Sequence, residues 1–219
     1  TEGTESFTIE LREGSNSGEI VAEGNTVTIS DTSLNPTYAT LVQGAYGSSN
    51  ISGLSWSGSQ VNDTGGVSSI PIPNNRKTYI EIYWNQNGGG NPGPGFAQNQ
   101  NSELGLASYK GWYRITGSNT ASMEVSSYSF TDVSGANSLG GSTGDYFGIA
   151  MDNTANNGSG SVTFYRNGNA MFTGANGWTS RSDLYFHWQN NGSATSSGTF
   201  NFGATSFQYP LSGFGGLYQ

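Results

Sequence analysis

The chain of 219 residues contains no cysteine, so disulfide bonds and thiolate metal sites are excluded. Charged residues are scarce at 10%, and there is one histidine, His187. Lys and Arg number 7 against 15 Asp and Glu, which gives a net charge of −8. Such a surface repels phosphate, so we expect neither a nucleic-acid ligand nor an anionic membrane as partner. No apolar run approaches the ~20 residues that cross a bilayer, so no membrane insertion is expected.

What the sequence does contain is glycine, at 34 residues, and aromatic residues, at 13%. Apolar and polar residues alternate in "FTIELRE", "NTVTIS", "KTYIEIYW", "SELGLAS", "GSVTFYRNG" and "LYFHWQ". This alternation predicts half-buried strands, and the Asn-Gly pairs between several of them predict tight turns. No window of helical length carries a helical apolar stripe free of Gly, so we expect almost no helix. The sequence therefore predicts one all-β domain over residues 1–219, an antiparallel sandwich or jelly roll.

Three stretches lack the alternation and are predicted to be loops. "NQNGGGNPGPGFAQNQN" over 85–101 is rich in Gly and Pro, which is typical of a long exposed loop. Residues 108–114 and 173–183 are the other two. Binding residues are often carried on such loops, because a rigid sheet scaffold holds the loops in place.

"GDYFGIAMDN" over 144–153 places Asp145 and Asp152 on either side of an apolar run. On an extended strand this separation is about 23 Å, and its odd offset sends the two side chains to opposite faces. Catalytic carboxylate pairs lie ~5–9.5 Å apart. We therefore predict that both aspartates bond backbone amides in turns, at the two ends of a strand buried on both faces.

Other arrangements that would favour catalysis or metal binding are weak. His187 lies in the middle of an alternating stretch, which favours a packed histidine over a catalytic one. Glu81 stands alone among apolar residues, and a calcium loop at 152–157 would have too few carboxylates. We therefore expect no catalysis, no cofactor and no bound metal.

"GDYFGIAMDN" followed by "GSVTFYRNG" resembles the core of the SPRY domain, in which Gly-Asp precedes strands of the types IGVALD and VTFYKNG. "RKTYIEIYW" (76–84) is similar to the GKWYFEV strand of that family, and "ELGLAS" (103–108) to its VGVA strand. "TFNFGATSFQYPLSGFGGL" (199–217) is similar to the closing motif of SPRY-like modules at the ends of bacteriophage tail and virion proteins. The motifs span 76–217, and residues 1–75 match weakly as N-terminal strands.

This resemblance implies a concanavalin-like SPRY β-sandwich that binds a ligand and does not catalyse a reaction. The implied setting is a virion surface outside the cell, where a tail-fibre domain would bind a host surface glycan or protein. The alternative is a capsid decoration or other structural protein that binds virion subunits, and homo-oligomerisation stays open. The matched motif positions are implied to be scaffold: Gly144, Asp145, Asp152, Asn167, Gly168, Phe202 and Gly203.

Sugar binding requires aromatic faces beside hydrogen-bonding groups. The predicted loops favour two clusters, Trp178 with Arg181 and Asp183, and Tyr109 with Lys110. We predict a ligand site at the end of the sandwich that these two loops share. The aromatic candidates weighed for it are Tyr46, Trp56, Phe96, Tyr109, Trp112 and Trp178.

Overall fold

The computed structural model describes residues 5–29, 36–43, 50–58, 63–86, 93–98, 109–113, 121–126, 129–132, 141–155, 160–175, 184–190 and 196–219. Contacts between residues divide the chain into two compact units, Thr1–Thr37 and Tyr38–Gln219. Each unit has its own strand pairing, and the single domain over 1–219 stays a prediction.

The described part of the first unit consists of antiparallel strand pairs. β1 (Glu5–Phe7) pairs with β4 (Val27–Ile29), and β2 (Glu10–Arg12) pairs with β3 (Ile20–Glu23). The prediction that "FTIELRE" forms one half-buried strand is wrong. The stretch is divided between β1 and β2, and Phe7, Ile9 and Leu11 are 49%, 65% and 64% exposed. A strand pair has too little apolar surface to bury such side chains by itself.

The second unit contains two 7-stranded antiparallel sheets in its described part. We call the first one the β10 sheet. Its strands are β5 (Leu41–Val42), β8 (Asp63–Ser68), β10 (Gly93–Gln98), β11 (Tyr109–Tyr113), β12 (Ala121–Ser126), β13 (Ser129–Asp132) and β17 (Leu184–Asn190). They lie in the order β13-β12-β11-β10-β17-β8-β5. The strand predicted from "LYFHWQ" is confirmed as β17.

We call the second one the β9 sheet. Its strands are β6 (Asn50–Ser52), β7 (Ser55–Gly58), β9 (Lys77–Gln86), β14 (Tyr146–Asp152), β15 (Ser161–Arg166), β16 (Asn169–Ala175) and β18 (Ser196–Asn201). They lie in the order β16-β15-β14-β9-β18-β7-β6. The strands predicted from "KTYIEIYW", "GDYFGIAMDN" and "GSVTFYRNG" are confirmed as β9, β14 and β15. The five central residues of β14 are all buried, as predicted for a strand covered on both faces.

The two sheets pack face to face around a largely aromatic core. Trp188 of the β10 sheet contacts the rings of Trp56 and Trp84, at centroid distances of 5.1 and 6.1 Å. Phe96 of β10 contacts Phe164 of β15 at 6.4 Å. All five side chains are at most 2% exposed. Buried aromatic side chains of this size supply much of the hydrophobic stabilisation of a sandwich.

The prediction of an exposed loop over 85–101 is wrong. β9 continues to Gln86, and Gly93–Gln98 form β10 inside the sheet, between β11 and β17. Pro94 has no backbone N–H to donate, but pairing with β11 begins only at Gly95, so Pro94 has one strand neighbour. The sequence analysis missed this strand because the glycines of the 85–101 stretch have no side chains and so cannot contribute to an alternating pattern.

The described residues contain no helix, so the predicted fold class, an all-β antiparallel sandwich, is confirmed. In this part of the chain there is accordingly no helix that could cross a lipid bilayer. The stretch "SELGLAS", with Leu104 and Leu106, lies outside the described residues.

Candidate functional site

Residues 202–219, here the C-terminal segment, fold back over the outer face of the β9 sheet. The ring of Phe207 contacts Tyr79 of β9 at a centroid distance of 4.9 Å, and the ring of Tyr209 contacts Tyr146 of β14 at 5.8 Å. The segment therefore covers part of the face of the sheet that points away from the core.

Glu81 of β9 lies beneath this segment and is 2% exposed. Its carboxylate accepts hydrogen bonds from the backbone N–H groups of Gln208 and Tyr209, each at 2.7 Å, and from the hydroxyl of Tyr79 at 3.1 Å. Burial first, and then the charge and hydrogen bond of Glu81, raise the pKa of Tyr79, so its phenol stays protonated and donates. Glu81 thus ties the segment to a strand 127 positions earlier in the chain.

The strand register places a row of side chains beside Glu81 on the same face. Tyr83 of β9 lies between Tyr146 of β14 and Thr199 of β18. The rings of Tyr83 and Tyr146 are 4.8 Å apart between centroids and inclined at 45°. The row therefore brings two tyrosine rings into contact next to a hydroxyl group.

A second row runs through Glu81 itself, between Gly148 and Asn201. A side chain at position 148 would not fit, because its Cβ would lie 2.5 Å from the hydroxyl oxygen of Tyr79. The amide of Asn201 donates to the backbone carbonyl of Thr205 at 3.2 Å. This bond holds the C-terminal segment at a fixed distance from the sheet.

Between the sheet and the C-terminal segment lies an open cleft of about 370 Å³. This volume is within the ~300–1,000 Å³ range of small-ligand sites. The described lining residues supply aromatic rings, hydroxyls, amides and one carboxylate, and none of them is Lys or Arg. The lining residues are Leu54, Glu81, Tyr83, Tyr146, Thr199, Phe200, Asn201, Thr205, Ser206 and Gln208.

The chemistry of the cleft is that of a binding site for a polar ligand. Tyrosine rings can contact the apolar side of a sugar ring, while the Gln208 side chain can exchange hydrogen bonds with its hydroxyls. The Thr199 hydroxyl is bonded to Ser55, and the Asn201 side chain is bonded to Thr205, Ser206 and Gly203, so these two retain mainly acceptor positions on their oxygens. Among the described residues, no three His, Asp or Glu side chains are grouped so that they could hold a metal ion.

Asp145 lies in the turn before β14 and is 9% exposed. Its carboxylate accepts hydrogen bonds from the Ser142 N–H at 2.7 Å, the Arg166 Nε–H at 2.8 Å and the Asn167 side-chain amide at 2.7 Å. Burial alone would raise the pKa of Asp145, but the bonds from Asn167 and Ser142 and the charge of Arg166 together lower it. The carboxylate joins the start of β14 to the turn between β15 and β16.

Asp152 lies at the other end of β14 and makes a smaller set of contacts. It accepts hydrogen bonds from the Thr154 N–H at 2.9 Å and the Thr154 hydroxyl at 2.6 Å, and it pairs with Lys77 at 2.8 Å. Burial acts to raise the pKa of Asp152, but the bonds from Lys77 and Thr154 outweigh it and lower the pKa. Both aspartates therefore bond groups of the turns at the two ends of β14.

Other scaffold positions named from the motifs also lie in turns or in the core. Asn167 has φ 49°, and its side-chain oxygen accepts the Tyr146 N–H at 2.9 Å. Gly168 and Gly203 have φ of 77° and 103°, which favours glycine. Phe202 is buried in the core. Gly144, with φ 94°, belongs to the turn before β14.

The structure places part of the predicted ligand site. Tyr109 and Lys110 begin strand β11, so the loop predicted over 108–114 is wrong there. Ala97 of β10 pairs with Tyr109 on one side and with Tyr185 of β17 on the other, so β11 and β17 begin at the same end of the sheet. The other residues of the predicted site, Trp178, Arg181 and Asp183, lie outside the described residues. This ligand site stays a prediction.

Two aromatic candidates, Trp56 and Phe96, lie in the core, as does the backbone-paired His187 of β17. The sequence analysis did not name Tyr83, Tyr146 and the C-terminal segment as one site. One signal was present: β9 alternates, yet its outward positions are Tyr, Glu and Tyr, which is typical of a covered face.

Comparison with solved structures finds resemblances at low sequence identity. A human SPRY domain has 12% identity and a TM-score of 0.48, covering 72% of this chain and 97% of that one. The SPRY domain of human HERC1 has 12% identity and a TM-score of 0.46, covering 69% and 85%. Peanut lectin, solved with a 9-residue peptide, has 10% identity and a TM-score of 0.45, covering 91% and 99%. No family model matches the chain, and no curated protein does so either.

Proposed function

We propose that this chain is a non-catalytic binding module whose ligand is a glycan, and that the glycan docks in the cleft between the β9 sheet and the C-terminal segment. The observation that carries the proposal is the pair of tyrosine faces, Tyr83 and Tyr146, beside hydrogen-bonding side chains in a cleft of about 370 Å³. Sugars combine an apolar ring face with hydroxyls around its edge, so they need both kinds of group side by side.

One wall of the cleft, the C-terminal segment, is held in place by hydrogen bonds, which favours the binding of a ligand that makes only weak contacts. Glu81 and Asn201 fix the C-terminal segment through hydrogen bonds to Gln208, Tyr209 and Thr205. Groups that are already held in place lose little entropy when a ligand arrives, which favours affinity.

The setting that we propose is a virion surface, with the chain as a receptor-binding domain of a phage tail fibre that recognises a host surface glycan. The support is the similarity of residues 199–217 to the closing motif of SPRY-like phage modules. This same stretch supplies Thr199 and one wall of the cleft. A net charge of −8 would not hinder binding to uncharged glycans.

A second candidate function is a structural role, in which the chain attaches to other virion subunits. The observation that favours it is the apolar surface of the first unit, because exposed apolar groups in number are typical of protein contacts. The exposed side chains are Phe7, Ile9, Leu11, Ile20, Val21 and Val27. A decoration protein would bind purified capsids and would not bind cells.

The test is to screen fluorescent protein on a glycan array and on bacterial cells, and then to compare single variants. Tyr146→Ala should weaken binding at least about tenfold, as expected for an aromatic anchor. Tyr165→Ala is the matched control, because Tyr165 is also a half-buried tyrosine on the outer face of this sheet and does not line the cleft. Tyr109→Ala tests the rival site at the end of the sandwich.

Glycan binding that is lost only in Tyr109→Ala would move the site to the sandwich end. Wild-type protein that binds no glycan and no cell, but binds capsids, would overturn the proposal in favour of the structural role.

A further inference from the structure

Glu81 is a buried carboxylate without a cationic partner among the described residues. It is 2% exposed and lines the cleft. The three cationic side chains that the structure describes in this unit are all engaged elsewhere. Lys77 pairs with Asp152, Arg166 pairs with Asp145, and Arg76 donates to the carbonyl of Tyr218.

The hydrogen bonds to Glu81 leave it with spare acceptor capacity. A carboxylate has about four acceptor positions. Among the described residues, Oε1 accepts from Tyr79 and Tyr209, whereas Oε2 accepts from the Gln208 N–H alone. A buried charge that lacks a counter-charge is costly, so a cationic or strongly donating ligand group would gain most at Oε2.

The tyrosines beside Glu81 favour the same kind of group. The faces of Tyr83 and Tyr146 adjoin each other in the neighbouring row of the cleft. Aromatic faces attract cations through their quadrupole, and the attraction grows as the site is desolvated. Since none of the described lining residues is Lys or Arg, no described side chain of the cleft repels a positive charge.

We infer that the glycan bound in this cleft carries a free, protonated amine, as in an amino sugar without its acetyl group. The ammonium would donate to Glu81 Oε2 and lie against the faces of Tyr83 and Tyr146. Hydroxyls of the sugar would donate to the oxygens of Thr199 and Asn201, whose donor groups are bonded within the protein. This inference rests on the proposed function, since it names the chemical class of the ligand for the same cleft.

The test uses three sugars that differ only at carbon 2: glucosamine, N-acetylglucosamine and glucose. Each is titrated into the full chain near pH 6, where both a carboxylate and a primary amine are ionised. Binding is followed by NMR shifts of the Glu81, Tyr83 and Thr199 amides. We expect glucosamine to bind at least tenfold more tightly than the other two, and added salt to reduce that preference.

Two variants and a control locate the preference. Glu81→Gln should reduce the preference for glucosamine over glucose to less than twofold. Glu81 also holds the C-terminal segment, so this variant loses contacts that support the fold. Tyr83→Leu therefore provides a second test, with an expected loss of affinity for glucosamine that exceeds the loss for glucose. Asp152→Asn removes one negative charge from the same sheet outside the cleft, and it should leave the preference intact.

The inference is overturned if glucosamine binds no better than glucose, if it does not shift the cleft signals, or if Asp152→Asn abolishes the preference as fully as Glu81→Gln. The proposed function fails differently, when no array glycan binds or when Tyr146→Ala leaves glycan binding unchanged. If a neutral glycan binds and its binding requires Tyr146, the proposed glycan-binding function stands and the inference of an amine-bearing ligand is rejected.

Discussion

The two turns that flank β14 look alike in the sequence, yet they differ in the structure. At one end, Asp145 gathers hydrogen bonds from Ser142, Arg166 and Asn167, the last two from a turn more than twenty positions away. At the other end, Asp152 bonds Thr154, two positions along, and an exposed lysine. Asp145 thus joins strands that are distant in the sequence, whereas Asp152 stabilises a local turn.

The difference extends to the candidate cleft. Asn167, held by Asp145, accepts the backbone N–H of Tyr146, whose ring lines the cleft. Gly168 lies against the ring of Tyr209, which in turn contacts Tyr146. The contacts of Asp145 therefore help to position Tyr146 and Tyr209 at the cleft, whereas Asp152 makes no such contact with cleft residues.

The largest effect that separates the two turns is expected from Asp145→Ala. Removing this carboxylate leaves the partners Ser142, Arg166 and Asn167 without their acceptor in a partly buried place, which should cost about 3 kcal/mol of the free energy of unfolding. Denaturant titration of both proteins measures the loss. A loss no larger than that of Asp152→Ala would show that the long-range contacts contribute nothing extra.

Acid should narrow the gap in stability between the wild type and Asp145→Ala. The contacts lower the pKa of Asp145 in the folded state below its ordinary value. A carboxyl group whose pKa is lower in the folded state than in the unfolded state stabilises the fold. This stabilisation is complete above the pKa of the unfolded state, and it is lost as the pH falls through the pKa of the folded state. We expect the gap to shrink below about pH 4. Denaturant titrations between pH 7 and pH 3 check this, and a gap that widens in acid would contradict it.

These contrasts show how far the sequence leads. Alternation was enough to predict β9, β15 and β17, because each buries one regular face in the core, and the apolar run between two aspartates was enough to predict β14, which is buried on both faces. It failed at β10, where glycine and proline conceal the pattern. It also failed in the first unit, where the apolar side chains of the described strand pairs are exposed.

The candidate cleft was out of reach for a different reason. It exists only because the C-terminal segment returns to a strand 127 positions earlier, and no local pattern records that return. The resemblance to SPRY motifs named positions such as Phe202 and Gly203, but it carried no information about Tyr83 or Glu81 as ligand-binding residues.

Asp152→Ala is expected to have a moderate effect. Its main bonds are to Thr154, within one exposed turn, and turn bonds of this kind contribute about 1 kcal/mol. Glycan binding per folded molecule should be unchanged, because Asp152 does not line the cleft. Denaturant titration gives the first quantity and array binding the second. Intact stability together with lost binding would show that this aspartate belongs to a ligand site.

The smallest effect is expected from Lys77→Met, which removes the charge that faces Asp152 and keeps most of the side-chain stem. The side chain of Lys77 is 43% exposed, so water and salt screen the ion pair, and the loss of unfolding free energy should be below about 0.5 kcal/mol.

Arg166→Met is the matched variant at the other end of β14. Arg166 is 28% exposed and donates to a carboxylate that also binds Ser142 and Asn167, so its removal should cost more. Denaturant titration of both variants at low and high salt measures the two losses of unfolding free energy. Only Lys77→Met should show almost no loss under both conditions. Equal losses would mean that the two ends of β14 differ in the number of their contacts but not in their strength.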